Sequence, residues 1–453
     1  MNPGTEALAH EARKGRLLDA MREGGAGPGA PIALAKRTSN LFRDREAGPR
    51  RRIDLGEFDH VIEVDASRGT VEVEGMATYE TLVDATLRHG VMPAVVPQLK
   101  TITAGGAMAG VGIEATSMRQ GLVHHTMLEL DVLLPDGRIV HCTPGNEHRD
   151  LFFGFPNSYG SLGYALRLVL RTQPVQPFVR VEHVAYQHPA EFFAALAEAA
   201  EGDADFVDAV VFGPRSMVLN VARFERDAPW TSNYEFERIY YRSLLEMPVD
   251  HLAVRDYLWR WDTDWFWCSR NFAAQHPLVR RMLGRSHLNS RTYTRLMRMN
   301  ARWGVTRRMA ALRGMHVESV IQDVDIPIGS ARTFLEFLGR EIGILPVWIC
   351  PVHVPDPGAG FVLYPLDAGT LYVNFGFWDV VESRETHEAG HFNRLVEQEV
   401  VRLGGIKSLY SDSFFTREEF DRAYGMEAYD ALKRRYDPEG LAPRLYEKCV
   451  LKR

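Results

Sequence analysis

The stretch that decides the fold is PQLKTITAGGAMAGVGIEATSMRQG, residues 97–121. Glycines stand at positions 105, 106, 110, 112 and 121, mostly beside other small residues. Such a stretch lets backbone N–H groups approach a diphosphate closely. It lacks the Gly-Lys-Ser/Thr ending of a P-loop, and its glycine spacing differs from the strand–GxGxxG–helix fingerprint. Taken alone, the loop fits a packed turn without a ligand as well as it fits a nucleotide site.

Short strands and helices surround this loop up to about residue 175. Apolar–polar alternation predicts two hairpins, in residues 60–75 and 128–143, with SRG and PDG as their turns. Between them, ATYETLVDATLRHG has helical spacing and ends at Gly90. This mixture of strands and helices predicts an α+β fold. The pattern of the sequence changes near residue 176.

Composition and charge exclude several classes of protein. The chain has 453 residues, 45% hydrophobic and 25% charged, which excludes collagen, coiled coil and extended disorder. Its net charge of -6 disfavours nucleic-acid binding by the chain as a whole. The four cysteines form no CxxC pair, so we expect neither a zinc cluster nor a disulfide framework. Without an apolar run or signal peptide, we expect a cytoplasmic protein that does not cross a membrane.

Three segments together carry a family resemblance: the glycine-rich stretch 97–121, LELDVLLPDGRIVHCTP at 128–144, and DLFFGFPNSYGSLGYALRL at 150–168. They resemble the FAD-binding domain of the PCMH-type (vanillyl-alcohol oxidase) flavoproteins, and more narrowly the delta-24 sterol reductase (Diminuto) family. HVESVIQDVDIPI, ILPVWICPV, SLYSDSFFTREEF and KRRYDPEGLAPRLYEK extend the similarity over nearly the whole chain. KRTSNLF and the lack of an N-terminal anchor are more similar to a bacterial branch that reduces 10-methylene fatty acyl chains.

The resemblance implies how the chain is divided. Residues 1–176 would form the FAD-binding domain, and residues 177–400 an antiparallel-sheet cap domain over the substrate. Residues 401–453 would return to the FAD site.

It also assigns the contacts with FAD. The pyrophosphate would be cradled by the backbone of Thr101, Ile102, Thr103, Gly105, Gly106 and Gly110. The ribityl or pyrophosphate side would meet Ser117 and Gly121, and the adenine half would meet Gly160 and Gly163. A second phosphate turn would be formed by Arg37, Thr38, Ser39 and Asn40, where many relatives have glycines and sometimes a flavin-linked His. We therefore expect non-covalent FAD, with Arg37 adding charge.

The implied chemistry is reduction of an isolated C=C bond in a lipid with NAD(P)H. Such a bond has no carbonyl to polarise it, so protonation to a tertiary cation must precede hydride transfer. The site needs an acid, a dry apolar channel and electron-rich faces. A 10-methylene acyl chain on phospholipid is our first choice of substrate, and a sterol side chain is the second.

Four residues are candidates for catalysis. Tyr410, in LYSD, is the first choice for the proton donor or its relay. Glu114 would lie beside the isoalloxazine with a raised pKa, or would anchor the glycine-rich loop. Gln322 is expected to point toward the flavin, with Asp323 on the opposite strand face. Asp412 is a further candidate, although a structural role near the next helix is the more frequent one.

Other residues have weaker signals. Trp348 and Cys350 share a strand face and either line the substrate channel or pack in the core. His124 and His125 are more often structural than ligands, and we expect no metal because no further ligand has suitable spacing.

The segment from Arg255 to Arg313 holds thirteen Arg, no Lys, three Asp and five of the eight Trp. It predicts a peripheral contact with phospholipid headgroups at the inner membrane face, a solvated basic face, or a dimer interface. Two alternative functions stay open. The same fold could run as a lipid dehydrogenase or desaturase in the opposite direction. It could also serve as a flavin-containing, lipid-binding partner of a methyltransferase.

Overall fold

The computed structural model describes residues 3–23, 32–35, 42, 51–236, 238–303, 314–358 and 360–452. The predicted phosphate turn of Arg37, Thr38, Ser39 and Asn40 lies outside the described residues, as do residues 304–313 of the Arg/Trp segment.

Within these ranges, the helices are α1 (Pro3–Glu23), α2 (Tyr79–Leu87), α3 (Ala104–Ala109), α4 (Ser117–Gln120), α5 (Arg149–Gly154), α6 (Pro189–Glu201), α7 (Tyr240–Ser243), α8 (Val254–Leu258), α9 (Pro277–His287), α10 (Ser290–Trp303), α11 (Ile328–Phe337), α12 (His391–Arg402), α13 (Arg417–Ala423), α14 (Met426–Tyr436) and α15 (Leu445–Cys449). Short 3₁₀ turns lie at Val123–Thr126 and Cys268–Phe272, and a π turn lies at Leu338–Ile342.

The strands are β1 (Ile32–Leu34), β2 (Arg51–Ile53), β3 (Val61–Asp65), β4 (Thr70–Glu74), β5 (Val91–Pro93), β6 (Met127–Leu133), β7 (Ile139–Cys142), β8 (Tyr164–Pro174), β9 (Phe178–Tyr186), β10 (Phe206–Gly213), β11 (Ser216–Glu225), β12 (Val249–Ala253), β13 (His316–Pro327), β14 (Val347–Val352), β15 (Tyr372–Ser383) and β16 (Ile406–Lys407). Helices and antiparallel sheets are mixed along the chain, which confirms the predicted α+β class.

The first sheet has the antiparallel order β3-β4-β8-β6-β7, with β5 paired to β8. Its two predicted hairpins are confirmed, and their turns place Gly69 (φ +65°) and Gly137 (φ +93°) in the left-handed region that glycine tolerates best. Helix α2 begins at Thr78, whose side chain accepts from the backbone N–H of Thr81, and it buries Tyr79 and Leu82. This sheet therefore supplies a rigid support for the glycine-rich stretch that follows α2.

The second sheet is antiparallel in the order β12-β9-β11-β10-β14-β15-β13-β16. Helices α6, α11 and α12 cover one of its faces, where Phe192, Phe334 and Val396 are buried in a common core. The change from the first sheet to the second falls between Pro174 and Phe178. The opposite face of the second sheet lies toward the glycine-rich stretch.

The C-terminal part of the chain returns to the N-terminal part. The N–H of Phe42 donates to the carbonyl of Tyr410 at 2.9 Å, and the N–H of Ile32 donates to the carbonyl of Leu441 at 2.8 Å. Helix α12 begins at His391, directly after Gly390, which adopts a left-handed conformation (φ +84°). No helix in the described part of the chain is both long and apolar enough to cross a membrane.

Candidate active site

A cavity of about 960 Å³ lies between the two sheets. We call one end the glycine half, because its wall is built from Gly75, Ile102, Thr103, Gly105, Gly106, Gly110, Gly112, Gly160 and Gly163. We call the other end the aromatic half, because it is lined by Trp265, Phe266, Phe272, Trp348, Trp378 and Tyr410, with Ser319, Ile321 and Asp323 beside them. One continuous space therefore joins a wall almost without side chains to a wall of rings.

The glycine half depends on close backbone packing. Thr103 caps α3, with its Oγ accepting from the N–H of Gly106 at 3.1 Å. A Cβ on Gly105 would lie 2.8 Å from the carbonyl oxygen of Gly75 and 3.2 Å from Cβ of Ala165. Glycine is required here because the loop lies directly against β4 and β8.

Five of the six residues predicted to cradle the pyrophosphate line the cavity, and Thr101 is buried behind them. Their N–H groups are largely committed within the chain: those of Ile102, Gly105, Gly106 and Gly110 donate to Leu99 O, Gly75 O, Thr103 Oγ and Gly106 O. A diphosphate could therefore approach the backbone of this loop closely, but few of the backbone N–H groups are left to donate hydrogen bonds to it.

The second predicted turn also reaches the cavity. Gly160 (φ +74°) and Gly163 (φ +132°) both line it. The N–H of Tyr159 donates to the carbonyl of Ala109 at 2.8 Å, which fixes this turn to the end of α3. Lys448, from α15, lines the cavity beside Gly160 and brings a positive charge to this end.

Ser117 and Gly121 lie outside the cavity lining and stabilise the loop itself. Ser117 Oγ accepts from the N–H of Glu114 at 3.1 Å. Gly121 is left-handed (φ +71°), and a Cβ there would lie 2.7 Å from Cδ of Pro355. Ser117 and Gly121 therefore do not line the cavity with the other residues that were predicted to contact FAD.

The residues present fit FAD. Gln98 is 4% exposed and lines the cavity, where its amide also interacts with the buried carboxyl of Glu114 but makes no well-aligned hydrogen bond. An isoalloxazine ring presents donors and acceptors along one edge, which would complete the hydrogen bonding of this amide. The close-approach wall and the cation of Lys448 suit the diphosphate of the same molecule.

Glu114 lies one layer behind the cavity wall. Arg260 donates to Glu114 at 3.2 Å and to Asp208 at 2.8 Å, and all three side chains are buried. Burial raises the pKa of Glu114 to about 7, against the lowering effect of the Arg260 charge. The Cys350 thiol contacts the carbonyl of Glu114 at 3.1 Å. This geometry favours the anchoring role over direct contact with substrate.

The two residues Gln322 and Asp323 face opposite to the prediction. Gln322 is fully buried under α12, where its amide donates to Asn393 at 2.5 Å. Asp323 instead lines the cavity together with Ser319 and Ile321. The physical reason is that Val320 and Val324 share the face of Gln322 and belong to the core beneath the helices. The predicted catalytic facing of Gln322 is therefore wrong.

Tyr410 lines the cavity in the aromatic half. Its hydroxyl accepts from the indole N–H of Trp378 at 2.7 Å and is hydrogen-bonded to the carboxyl of Asp323. Burial raises the pKa of Tyr410 well above its ordinary value, and the neighbouring Asp323 raises it further. Burial likewise raises the pKa of Asp323 well above the ordinary range.

Of the three remaining candidates, only Trp348 lines the cavity. Asp412 lies outside the cavity lining, with its carboxylate 3.1 Å from Nζ of Lys452, and the cap of α13 is Thr416. Trp348 lines the cavity and donates its indole N–H to Asp208 at 3.2 Å. Cys350 is buried outside the lining, so it packs in the core.

His124 and His125 form a buried aromatic cluster away from the cavity lining. Their ring centroids are 4.4 Å apart, and Phe361 lies 4.5 Å from His124. Burial lowers the pKa of His125 to about 4, so this ring is neutral at ordinary pH. Among the described residues, no group of three or more His, Cys, Asp or Glu side chains could hold a metal ion.

The structure corrects the expectation for the Arg/Trp segment. Four of its tryptophans are buried in the core: Trp259, Trp261, Trp265 and Trp267. Arg260 and Arg280 are also buried, each paired with an aspartate. These rings pack against one another and against the cavity, since Phe266 lies 4.5 Å from Trp378 and 4.8 Å from Trp261. Of these four tryptophans, Trp265 lines the aromatic half and the other three are buried outside the lining, so the four rings do not form a headgroup surface.

Among the cavity-lining residues that sequence reasoning missed, four matter for binding or chemistry: Gln98, Asp323, Trp378 and Lys448. A signal for Asp323 was present, because Val320, Val324 and Ile326 alternate along β13 and leave the odd-numbered residues on the other face. Nothing local marks the other three, which reach the cavity through long-range packing.

Comparison with known proteins agrees with this geometry. Residues 28–143 match the family model described as FAD binding domain. Delta(24)-sterol reductase of Homo sapiens is 24% identical over 414 residues, covering 86% of this chain and 75% of the human protein. The Arabidopsis thaliana Delta(24)-sterol reductase is 24% identical and covers 92% of this chain and 79% of its own length.

Cytokinin dehydrogenase 6 of Oryza sativa subsp. japonica is 26% identical over 253 residues, or 52% of this chain and 46% of the relative. The chain is therefore an FAD-dependent oxidoreductase with a PCMH-type FAD-binding domain, homologous over most of its length to Delta(24)-sterol reductases.

Proposed function

We propose that the protein reduces an isolated C=C bond in a lipid, with NAD(P)H as the electron donor. The observation that carries this proposal is the aromatic half of the cavity, in which a hydrogen-bonded carboxyl and phenol lie among large apolar rings. A polar substrate would leave its own donors and acceptors unpaired there. The names of the relatives, sterol reductases, support reduction as the direction.

The residues of the chain meet the demands of this chemistry. FAD, once bound and reduced by NAD(P)H, supplies the hydride. Trp265, Phe266 and Phe272 exclude water and present their ring faces to the positive charge that develops on the protonated substrate. An acid in the same space must hold a proton at neutral pH, and both Asp323 and Tyr410 have raised pKa values.

For the substrate, we propose a 10-methylene fatty acyl chain carried on a phospholipid, which becomes a 10-methyl branched chain. A sterol side chain with a 24-ene is the second choice. Both alkenes give a tertiary cation after protonation at the less substituted carbon. The acyl chain is preferred because the basic surface beside the cavity suits a substrate that stays attached to a charged headgroup.

The basic surface beside the cavity comprises only part of the Arg/Trp segment. Helix α9 exposes Leu278 (68%) and Met282 (87%), flanked by the exposed cations Arg281 and Arg285. Residues 277–303 contain no Asp or Glu. We infer a peripheral contact between α9 and anionic phospholipid at the inner membrane face. Phe272 before α9 and Leu296 after it line the cavity, so the contact lies close to the substrate entrance. A methyltransferase partner stays a prediction.

The substrate test is anaerobic turnover with NADPH or NADH and three lipids in matched vesicles. These are a 10-methylene phospholipid, its saturated 10-methyl product as a blank, and a 24-ene sterol. We expect formation of the 10-methyl chain, detected by mass spectrometry. Reduction of the sterol with an untouched phospholipid would overturn the first choice of substrate, and reduction of neither would overturn the proposed function.

The membrane test is flotation with vesicles of phosphatidylglycerol, compared with vesicles of phosphatidylcholine. We expect binding to the anionic vesicles and its loss in Leu278→Ser/Met282→Ser. The matched control is Leu8→Ser, which changes an exposed leucine (75%) on α1. Equal binding by the double variant would contradict the assignment of α9.

A further inference from the structure

We propose that Asp323 is the catalytic acid that protonates the substrate alkene. This inference rests on the proposed function and names the proton donor that the function requires. Asp323 lies in the middle of β13, on the face of the second sheet that lines the cavity. It therefore reaches the same apolar space as the rings of the aromatic half.

The carboxyl of Asp323 is held in a defined position. The hydroxyl of Tyr410 and the indole of Trp378 are both hydrogen-bonded to it. Gly376, opposite Asp323 in the antiparallel pair, makes room for it. A Cβ on Gly376 would lie 2.8 Å from Asp323 Oδ1 and 2.6 Å from the indole of Trp378. The glycine thus lets a carboxyl and an indole share one small space.

Asp323 is a better acid than its neighbours. Burial raises the pKa of Asp323 well above its ordinary value, which favours the protonated carboxyl that an acid needs. Tyr410 has a pKa well above that of an ordinary phenol, so it holds its proton more tightly than a carboxylic acid does. Tyr410 is consequently a positioning residue, which donates to Asp323 while accepting from Trp378. Glu114 stands behind the wall, paired with Arg260, and lies outside the cavity lining.

Other charged groups near Asp323 favour its protonated form or are balanced. Asp325, two residues along β13, raises the pKa of Asp323 further and is bound by Tyr364 and Asn374. Asp379 on β15 also lines the cavity, but it is paired with Arg270. Glu382 lies at the exposed rim, and Tyr159 faces Tyr410 from the glycine half.

The rings around Asp323 suit the cation that protonation produces. Trp378 packs against Phe266 at 4.5 Å, and Phe266 packs against Trp348 at 5.6 Å. Trp265 and Phe266 both have left-handed backbones (φ +45° and +59°), a conformation that is strained for bulky residues. Both side chains line the cavity, so aromatic rings are available there to a positive charge.

In a 10-methylene chain, proton transfer precedes hydride transfer. The carboxyl proton of Asp323 moves to the terminal CH₂ carbon, and the π electron pair forms the new C–H bond. Asp323 becomes a carboxylate beside a tertiary cation at C10. That cation accepts the hydride that derives from NAD(P)H, and Asp323 takes up a proton from solvent before the next turnover.

The first test compares Asp323→Asn with Asp250→Asn. Asp250 is a matched control, because it is a buried carboxyl bound by a tyrosine, Tyr234, outside the cavity lining. We expect Asp323→Asn to bind FAD and to be reduced by NADPH as the wild type is, while its reduction of the alkene falls roughly 100-fold. Asp250→Asn should retain wild-type alkene reduction.

The pH profile adds a readout that a structural role would not give. The wild-type alkene step should slow as pH rises and Asp323 loses its proton, and Asp323→Asn should lose this dependence. Wild-type turnover by Asp323→Asn would overturn this proposal alone. Absence of turnover in the wild type would instead overturn the proposed function, and the inference with it.

The second test needs no turnover. Decyltrimethylammonium, below its micellar concentration, carries a fixed cation on an alkyl chain and mimics the protonated substrate. We expect its binding to the FAD-loaded wild type to tighten as pH rises, because Asp323 becomes an anion. In Asp323→Asn the binding should be weak and independent of pH. Equal pH dependence in both proteins would contradict the assignment of the acid.

Discussion

The two halves of the cavity are built in different ways. Apart from Gly75, the wall of the glycine half comes from two continuous stretches, residues 97–113 and 157–165, that fold against one sheet. The aromatic half collects residues from far apart in the chain, among them Trp265, Asp323, Trp378 and Tyr410. Where the backbone must approach a ligand closely, only small residues fit, and this requirement is visible in a continuous stretch of sequence. A wall of rings and one acid depends instead on which strand face meets which segment.

The largest effect should come from breaking the glycine half. We expect Gly105→Val to abolish FAD binding, because even its Cβ would collide with the backbone of Gly75 and displace α3 from the cavity wall. The measurement is flavin absorbance per protein after gel filtration. Gly145→Val is the control, since Gly145 is exposed and has open space around its Cα. Full flavin content in a folded Gly105→Val protein would show that this wall does not meet the cofactor.

Next in size should be a change to the positioning of the acid. We expect Tyr410→Phe to keep FAD and its reduction by NADPH, while alkene reduction slows roughly tenfold through loss of one hydrogen bond to Asp323. Rapid mixing separates the two half-reactions. An unchanged alkene step would remove Tyr410 from the account, and slower flavin reduction would mean that it serves the other half of the cavity.

A smaller change should result from filling the space opposite Asp323. Gly376→Ala would place a methyl group 2.8 Å from the Asp323 carboxyl and 2.6 Å from Trp378, so these side chains must move. We expect alkene reduction to slow several-fold, together with a loss of stability of about 1–3 kcal/mol from overpacking. FAD content should not change. Flavin absorbance, denaturant unfolding and product formation test these three statements, and lost FAD would contradict the separation of the two halves.

The smallest effect on turnover is expected for Glu114→Gln, because Glu114 stands behind the cavity wall. Its effect should appear in stability. Since burial raises the pKa of Glu114 from 4.5 to about 7, the folded protein binds this proton more tightly than the unfolded chain does. The stabilisation is complete below about pH 4.5 and is lost as pH rises through about 7.

The wild type should thus lose stability relative to Glu114→Gln across that window, by up to about 3 kcal/mol. Denaturant unfolding of both proteins from pH 4 to 8 measures the difference. A constant difference would mean that Glu114 stays ionised throughout, bound to Arg260.

Much of the fold could be predicted from the sequence. The hairpin turns at Gly69 and Gly137 and the helix Tyr79–Leu87 follow from local patterns, and the glycine loop indicated where the cofactor domain lies. The facing of β13 could not be predicted from the dipeptide Gln322–Asp323 alone, because both residues are polar and the face is chosen by the valines packed under α12.

The tryptophans of the Arg/Trp segment show the same limit. Composition indicates an interfacial surface, but Trp261 and Trp267 find aromatic partners from other segments and are buried. Burial in a core that is assembled over long range leaves no local trace in the sequence. For the same reason Gln98 and Trp378 became candidates only in the folded structure.

One anaerobic measurement distinguishes reduction of the lipid from its oxidation. Protein reduced with NADPH and freed of excess nucleotide is mixed with 10-methylene phospholipid, while oxidised protein is mixed with the saturated 10-methyl lipid. The flavin band near ~450 nm reports both reactions. We predict that the alkene restores the band in the first mixture and that the saturated lipid leaves it unchanged in the second. Bleaching by the saturated lipid, with no effect of the alkene on reduced protein, would contradict the account and identify a dehydrogenase.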